Sequence, residues 1–108
     1  MKTTAYLRIS TVDQDIEKNK SDILKLANEK RLGYVEFIEE QISGKVSWKK
    51  RKIFSIIDEA KKDDILIVSE LSRLGRSMLE IMEILSIATQ KQLKIYSVKG
   101  DWHLDGSI

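Results

Sequence analysis

Apolar positions along this chain switch between the period of a strand and the period of a helix. Thr3 to Ile9 (TTAYLRI) is short and rich in β-forming side chains. From Asp15 to Leu32, by contrast, the apolar positions Ile16, Ile23, Leu24 and Ala27 fall on one helical face. Gly33 supplies a helix stop, and Tyr34 to Ile38 (YVEFI) predicts a second strand, followed by a polar loop through Ser43-Gly44 that ends near Trp48. Between Lys50 and Lys62 the residues Ile53, Ile56, Ile57 and Ala60 repeat at helical spacing, with Lys61 and Lys62 placed favourably at the carboxyl end. Ile65 to Ser69 (ILIVS) is the continuous apolar run of a strand covered on both faces. Met78, Ile81, Met82, Leu85 and Ala88 mark a third helix, and Leu93 to Val98 a further strand. Strands and helices alternate throughout, so the expected fold is α/β, a largely parallel central sheet flanked by helices. The last stretch, GDWHLDGSI, reads as polar and irregular.

With 108 residues, 42% of them hydrophobic, the chain can build one core and is too short for two ordinary domains. We divide it into a domain at 1–100 and a connecting segment at 101–108. It has no cysteine and a single histidine, which removes disulfides, thiolate nucleophiles and His-rich metal sites from consideration. Neither a signal peptide nor a membrane-spanning run is apparent, so a soluble, cytoplasmic chain is expected. The net charge of +2 says little about partners, but KVSWKKRK, from Lys45 to Lys52, carries five cations and no acid. That stretch suits either a phosphate backbone or a solvated turn before a helix.

Chemistry in open α/β sheets collects at the carboxyl ends of strands. At the end of the first strand, period two puts Tyr6, Arg8 and Ser10 on one face. An arginine there must meet a carboxylate or point into a cleft that receives an anion, because an unpaired buried guanidinium is costly. After ILIVS comes Glu70-Leu71-Ser72-Arg73-Leu74-Gly75-Arg76-Ser77, whose two arginines project to one side if a helical turn begins there. Arginine forks match phosphate oxygens and stay protonated, so Arg8, Arg73 and Arg76 around a serine suit a phosphodiester. Two plainer readings stand beside this one: ion pairs of the arginines with Glu70, Glu80 or Asp13, and Ser10 as a helix cap or turn residue. His103 lies in the irregular tail and no Gly-x-Ser-x-Gly elbow occurs, which disfavours a Ser-His-Asp hydrolase. Walker-type and dinucleotide glycine loops are absent, and a receiver domain would need an aspartate where the third strand ends in Ser69. Asp63-Asp64 and Glu39-Glu40 read as surface acids.

Tyr6-Leu7-Arg8-Ile9-Ser10-Thr11, with Gln14 after it, resembles the Y-x-R-V/I-S-T signature of the resolvase/invertase family of serine site-specific recombinases. Leu71-Ser72-Arg73-Leu74-Gly75-Arg76 resembles the second signature, L-D/S-R-L-G-R, and Ser43-Gly44 followed by Lys50-Arg51 resembles a third, looser element. The resemblance covers essentially the whole chain, and its flavour is that of the small DNA invertases. It implies a resolvase-like catalytic domain in which Ser10 attacks the scissile DNA phosphate, leaving a 5′-phosphoserine bond and a free 3′ hydroxyl. Strand exchange and religation follow. Arg8, Arg73 and Arg76 would bind the phosphate and assist, with Tyr6, Gln14, Ser43, and Lys50 or Arg51, as supporting or phosphate-binding members. No cofactor, nucleotide or metal is implied. The partners implied are a double-stranded DNA recombination site and further copies of the protein, a homodimer assembling to a tetramer, in a bacterial cytoplasm.

Two departures from the family pattern matter. Many relatives carry an aspartate where this chain has Ser72, so any role of that acid is either absent here or moved elsewhere, to Glu70 or Asp64. Family members of this type also continue with a long helix and a helix-turn-helix DNA-binding domain, so the 108-residue chain by itself is expected to be inactive or weak. The competing function is a non-catalytic truncated partner that regulates a full-length recombinase.

Overall fold

The computed structural model describes residues 1–9 and 16–104. Strand β1 (Thr3–Ile9) sits inside a five-stranded sheet of order β2-β1-β3-β4-β5, built with β2 (Val35–Gln41), β3 (Ile65–Val68), β4 (Lys94–Ser97) and β5 (Trp102–Leu104). The first four strands are parallel, and β5 runs antiparallel to β4. Helices α1 (Ile16–Glu29), α2 (Lys52–Asp58) and α3 (Met78–Lys91) cover the two faces. The α/β sheet read from the sequence is therefore the fold.

Alternation along the strands sorts the core into two layers. Ala5 and Leu7 of β1, with Ile65 and Ile67 of β3, pack against Ile23, Leu26 and Ala27 of α1. On the opposite face Tyr6, Leu66, Val68 and Ile95 pack against Ile53 and Ile57 of α2 and Ile81, Ile84 and Ala88 of α3. Such all-apolar strands as ILIV are stable only when covered on both sides, which these helices provide.

Register decides where a cleft can form. β1 pairs with β2 over its whole length, from Thr3 opposite Val35 to Ile9 opposite Gln41, but with β3 only at Thr3, Thr4 and Ala5. Chain order also reverses here: β2 lies on one side of β1, and β3 and β4 on the other. The carboxyl half of β1 thus stands beside the switch point of the sheet, the place where α/β folds bind ligands.

Three elements differ from the sequence reading. The second strand reaches Gln41 rather than Ile38, because in-register pairing with β1 outweighs the poor strand propensity of Glu39-Glu40-Gln41. The helix expected over Lys50–Lys62 is only α2, preceded by a single 3-10 turn at Trp48–Lys50. Arg51, extended at φ −110° and ψ 164°, separates the two. The tail read as irregular contains β5: Gly100 and Asp101, both at positive φ, reverse the chain, and Trp102 and Leu104 then turn to the α3 side of the sheet. On the other side His103 stacks on Tyr96 at 5.8 Å. Among the described residues no helix is long and apolar enough to cross a membrane.

Helix α3 ends on Gln92 in the left-handed region at φ 61°, where its amide donates to the carbonyls of Ala88 and Thr89. A side chain costs energy in that conformation and glycine does not. Gln92→Gly should therefore raise stability by about 0.5–1 kcal/mol in urea unfolding, net of the entropy glycine adds to the unfolded chain. An unchanged or lowered midpoint would contradict this.

Candidate active site

The half of β1 that β3 leaves unpaired carries Arg8. Its side chain lies on the α2/α3 face with Tyr6, as the strand period requires. Nη1 donates to the Ile42 carbonyl at 3.2 Å. Gly44 lies against the guanidinium so closely that a Cβ there would stand 3.4 Å from Cζ. Arg8 Nε is buried and has no hydrogen-bond partner among the described residues. Burial first, and then the charges of Arg73 and Arg51, lower the pKa of this guanidinium from its ordinary value. Three positive groups are thus held within electrostatic reach of one another.

Arg51 makes that proximity possible. It is only 3% exposed, and three of its side-chain bonds go to main-chain carbonyls, Nε to Val46 at 2.9 Å, Nη2 to Gly44 at 3.1 Å and Nη1 to Arg73 at 3.2 Å, while its side chain also interacts with that of Tyr6. The guanidinium therefore pins the loop after β2 to the turn after β3. Lys50, by contrast, is exposed. The structure separates the two basic residues that the sequence left side by side.

Arg73 ends the 3-10 turn Leu71–Arg73 and pairs with Glu70, Nε to Oε1 3.6 Å. Arg76 is about half exposed, and its Nε lies 3.3 Å from Glu80 Oε2. The ion pairs weighed as the plainer reading of these arginines are thus both formed, alongside the clustering of Arg73 with Arg8 and Arg51. Ser43 is exposed and closes its own turn by accepting from the Lys45 amide at 3.1 Å. Ser10 and Gln14, and with them Asp13, lie outside the described residues.

Sequence reasoning missed one carboxylate at the site and undervalued two others. Glu40, read as a surface acid, faces inward and accepts from the Tyr6 hydroxyl at 2.9 Å and from the Lys52 amide at 2.7 Å. Burial, with Glu40 adding to it, pushes the Tyr6 phenol well above its ordinary pKa, so Tyr6 stays a neutral donor. Its neighbour Glu39 keeps a surface role, paired with Lys20 at 2.7 Å. The signal lay in the strand period: a second strand extended to Gln41 puts Glu40 opposite Arg8. Glu70 accepts from Ser72 Oγ at 2.7 Å, and chiefly that bond, against burial and with help from Arg73 and Lys99, lowers its pKa. Asp64, the other acid considered, instead receives the amides of Lys2 and Lys61 at the opposite end of the strands.

Glu80 is the third. Its carboxylate collects the Ser47 hydroxyl and the amides of Trp48 and Arg76. Burial by itself would raise its pKa, but these donors and the Arg76 charge more than reverse that, leaving it below the ordinary glutamate value. Gly75 is folded tightly over it, so that a Cβ there would come within 2.8 Å of Glu80 Cβ.

The family model described as "Resolvase, N terminal domain" matches residues 3–107. This chain belongs to the resolvase family of serine recombinases. It is 28% identical over 102 residues to the transposon Tn1546 resolvase of Enterococcus faecium, covering 94% of this chain and 50% of that protein. It is 31% identical over 98 residues to the DNA-invertase hin of Salmonella typhimurium, covering 91% of this chain and 48% of the relative. Serine recombinase PinR of Escherichia coli K12 is 31% identical over 93 residues, 85% of this chain and 46% of its own length. The chain therefore spans about half the length of the curated relatives it matches.

A carboxylate with a lowered pKa stabilises the fold above its unfolded value and loses that contribution as pH falls through the folded value. Glu80→Gln should accordingly be less stable than the native chain at pH 7, by about 1–2 kcal/mol. The gap should close as pH drops below the ordinary glutamate value of 4.5. Thermal unfolding of both proteins at pH 7 and pH 3 measures this, and a gap that widens in acid would overturn the assignment.

Proposed function

We propose that this chain is the catalytic domain of a site-specific DNA recombinase and that Ser10, the residue directly after β1, is its nucleophile. The observation that carries the reading is the cluster of Arg8, Arg51 and Arg73 beside the carboxyl end of β1, with Arg8 Nε buried and unpartnered among the described residues. Cations so close together repel one another, and a dianionic transition state at phosphorus would relieve that repulsion while using their preorganised donors. Membership of the resolvase family supplies the substrate class.

In this reading Ser10 Oγ attacks the phosphorus of a DNA phosphodiester as the P–O3′ bond breaks. The serine proton leaves to solvent or a nearby base, and the departing 3′ oxygen takes up a proton. The 5′ phosphate is then esterified to Ser10, and after strand exchange a 3′ hydroxyl attacks that ester and releases the serine. One phosphodiester is exchanged for another of similar energy, so no nucleotide is consumed. Charge neutralisation falls to Arg8 and Arg73, with Arg76 at the outer rim, and Arg51 holds their backbone segments together. Tyr6 and Glu40 form the floor under Arg8. Gln14, Ser43 and Lys50 are supporting or DNA-backbone contacts, and the acid absent at Ser72 is replaced by Glu70, which Ser72 and Arg73 both engage. Double-stranded DNA is the partner, and strand exchange requires a dimer that pairs into a tetramer.

The test is covalent capture. Incubation with nicked duplexes of randomised sequence should give protein–DNA adducts on a denaturing gel, with the nucleotide mapped to Ser10. Ser10→Ala should abolish them, and Arg8→Ala should slow their formation by about 100-fold or more, the usual effect of removing a preorganised donor. An adduct that survives Ser10→Ala would show the nucleophile to be wrong. Adducts from this chain alone are expected in low yield; their complete lack also when the chain is joined to the carboxyl-terminal half of a relative such as the hin invertase would favour the non-catalytic partner instead.

A further inference from the structure

Helix α3 opens with Ser77-Met78-Leu79-Glu80, the spacing of a capping box, in which the serine caps the third residue and the glutamate bonds back to the serine amide. Half of that motif is present: Ser77 Oγ accepts from the Glu80 amide at 3.3 Å. The glutamate does something else. Its Oε1 accepts from the amides of Arg76 at 3.0 Å and Trp48 at 3.2 Å, while Oε2 accepts from the Ser47 hydroxyl at 2.8 Å and pairs with Arg76 Nε. One carboxylate, 13% exposed, therefore joins the loop after β2 to the turn after β3. One helical turn later Glu83 takes the Trp48 indole N–H at 2.9 Å, so α3 grips Trp48 at both its backbone and its ring.

We propose that Glu80 is a positioning residue for the arginine cluster, a crossbar that fixes the separation of the loop bearing Gly44 and Arg51 from the turn bearing Arg73 and Arg76. This rests on the function proposed above, because it concerns how that anion site is held. Glu80 acts through others. Ser47 and Trp48 lead directly into Arg51, whose amide donates to the Trp48 carbonyl at 3.1 Å and whose guanidinium reaches Gly44 and Arg73. Gly44 in turn lies against Arg8. Two crossbars, Glu80 and Arg51, span the same gap, one anionic and one cationic. With only the cationic one left, mutual repulsion among Arg8, Arg51 and Arg73 would act on a hinge instead of a frame.

The probe is inorganic phosphate, followed through the Nε–H resonances of Arg8, Arg51 and Arg73 in this chain by NMR titration. The native protein should show saturable shifts at Arg8. Glu80→Gln keeps the volume but loses the charge and an acceptor, and should weaken the phosphate affinity by about tenfold, the equivalent of one charge-assisted hydrogen bond. Ser47→Ala, which cuts one strand of the crossbar from the other side, should weaken it less and in the same direction. Ile23→Val, a core change within α1 on the far face of the sheet, controls for lost stability and should leave the affinity unchanged. The proposal is overturned if Glu80→Gln binds phosphate like the native chain, or if Ile23→Val weakens binding as much as Glu80→Gln. Absence of any saturable shift in the native protein would instead remove the anion site itself, and this inference with it.

Discussion

Arg51 is the interaction on which the arrangement turns. A guanidinium removed from water is tolerated only where its donors are met, and Arg51 meets three main-chain carbonyls from two segments far apart in sequence. Those carbonyls lie in the loop that follows β2 and in the turn that follows β3. Their joining fixes the mouth of the sheet at its switch point. Carbonyls satisfy the donors without cancelling the charge, so the positive field of Arg51 still acts on Arg8. A carboxylate partner would have stapled the same loops and weakened the field.

The rest of the molecule serves this frame. The sheet places Arg8 by pairing β1 with β2 to its last residue while releasing it from β3 after Ala5. Helix α2 starts where Glu40 accepts the Lys52 amide, the same oxygen that receives the Tyr6 hydroxyl, so the floor of the site and the start of a helix share one acceptor. Helix α3 contributes through its first turns, where Glu80 and Glu83 hold Ser47 and Trp48. Carboxylates border the arginines on several sides, yet Arg8 retains a buried donor with no partner among the described residues. Under the proposed function, that unsatisfied donor is the one an incoming phosphate oxygen would engage.

Much of this was legible in the sequence, for physical reasons. The period-two pattern of TTAYLRI puts Tyr6 and Arg8 on one face whatever the register, and ILIVS has no stable place except between two layers. What stayed hidden depended on pairing and on single backbone angles. Glu40 looked like a strand-end acid because its inward orientation follows from β2 matching the full length of β1. Lys49, Lys50, Arg51 and Lys52 form a uniform basic run in sequence. Only the extended backbone of Arg51, between a 3-10 turn and α2, directs its side chain inward while its neighbours stay exposed. Strand β5, at three residues, is too short for periodicity to reveal, and two left-handed residues make it possible. Glu80 fitted a capping box, and nothing local shows that its carboxylate crosses to Ser47. The signatures that resemble the recombinase family identified Arg73 and Arg76, and the fold adds what brings Arg73 within reach of Arg8.

In the proposed function Arg8 and Arg73, framed by Arg51, hold a phosphorus-centred anion. Diffraction from crystals of this chain soaked in tungstate, with the metal located by anomalous scattering, tests it most directly. A tungstate is expected within hydrogen-bond distance of the Arg8 and Arg73 guanidinium groups, with the Arg51 bonds to Gly44, Val46 and Arg73 intact. Tungstate bound only elsewhere, with a protein group occupying Arg8 Nε, would contradict it.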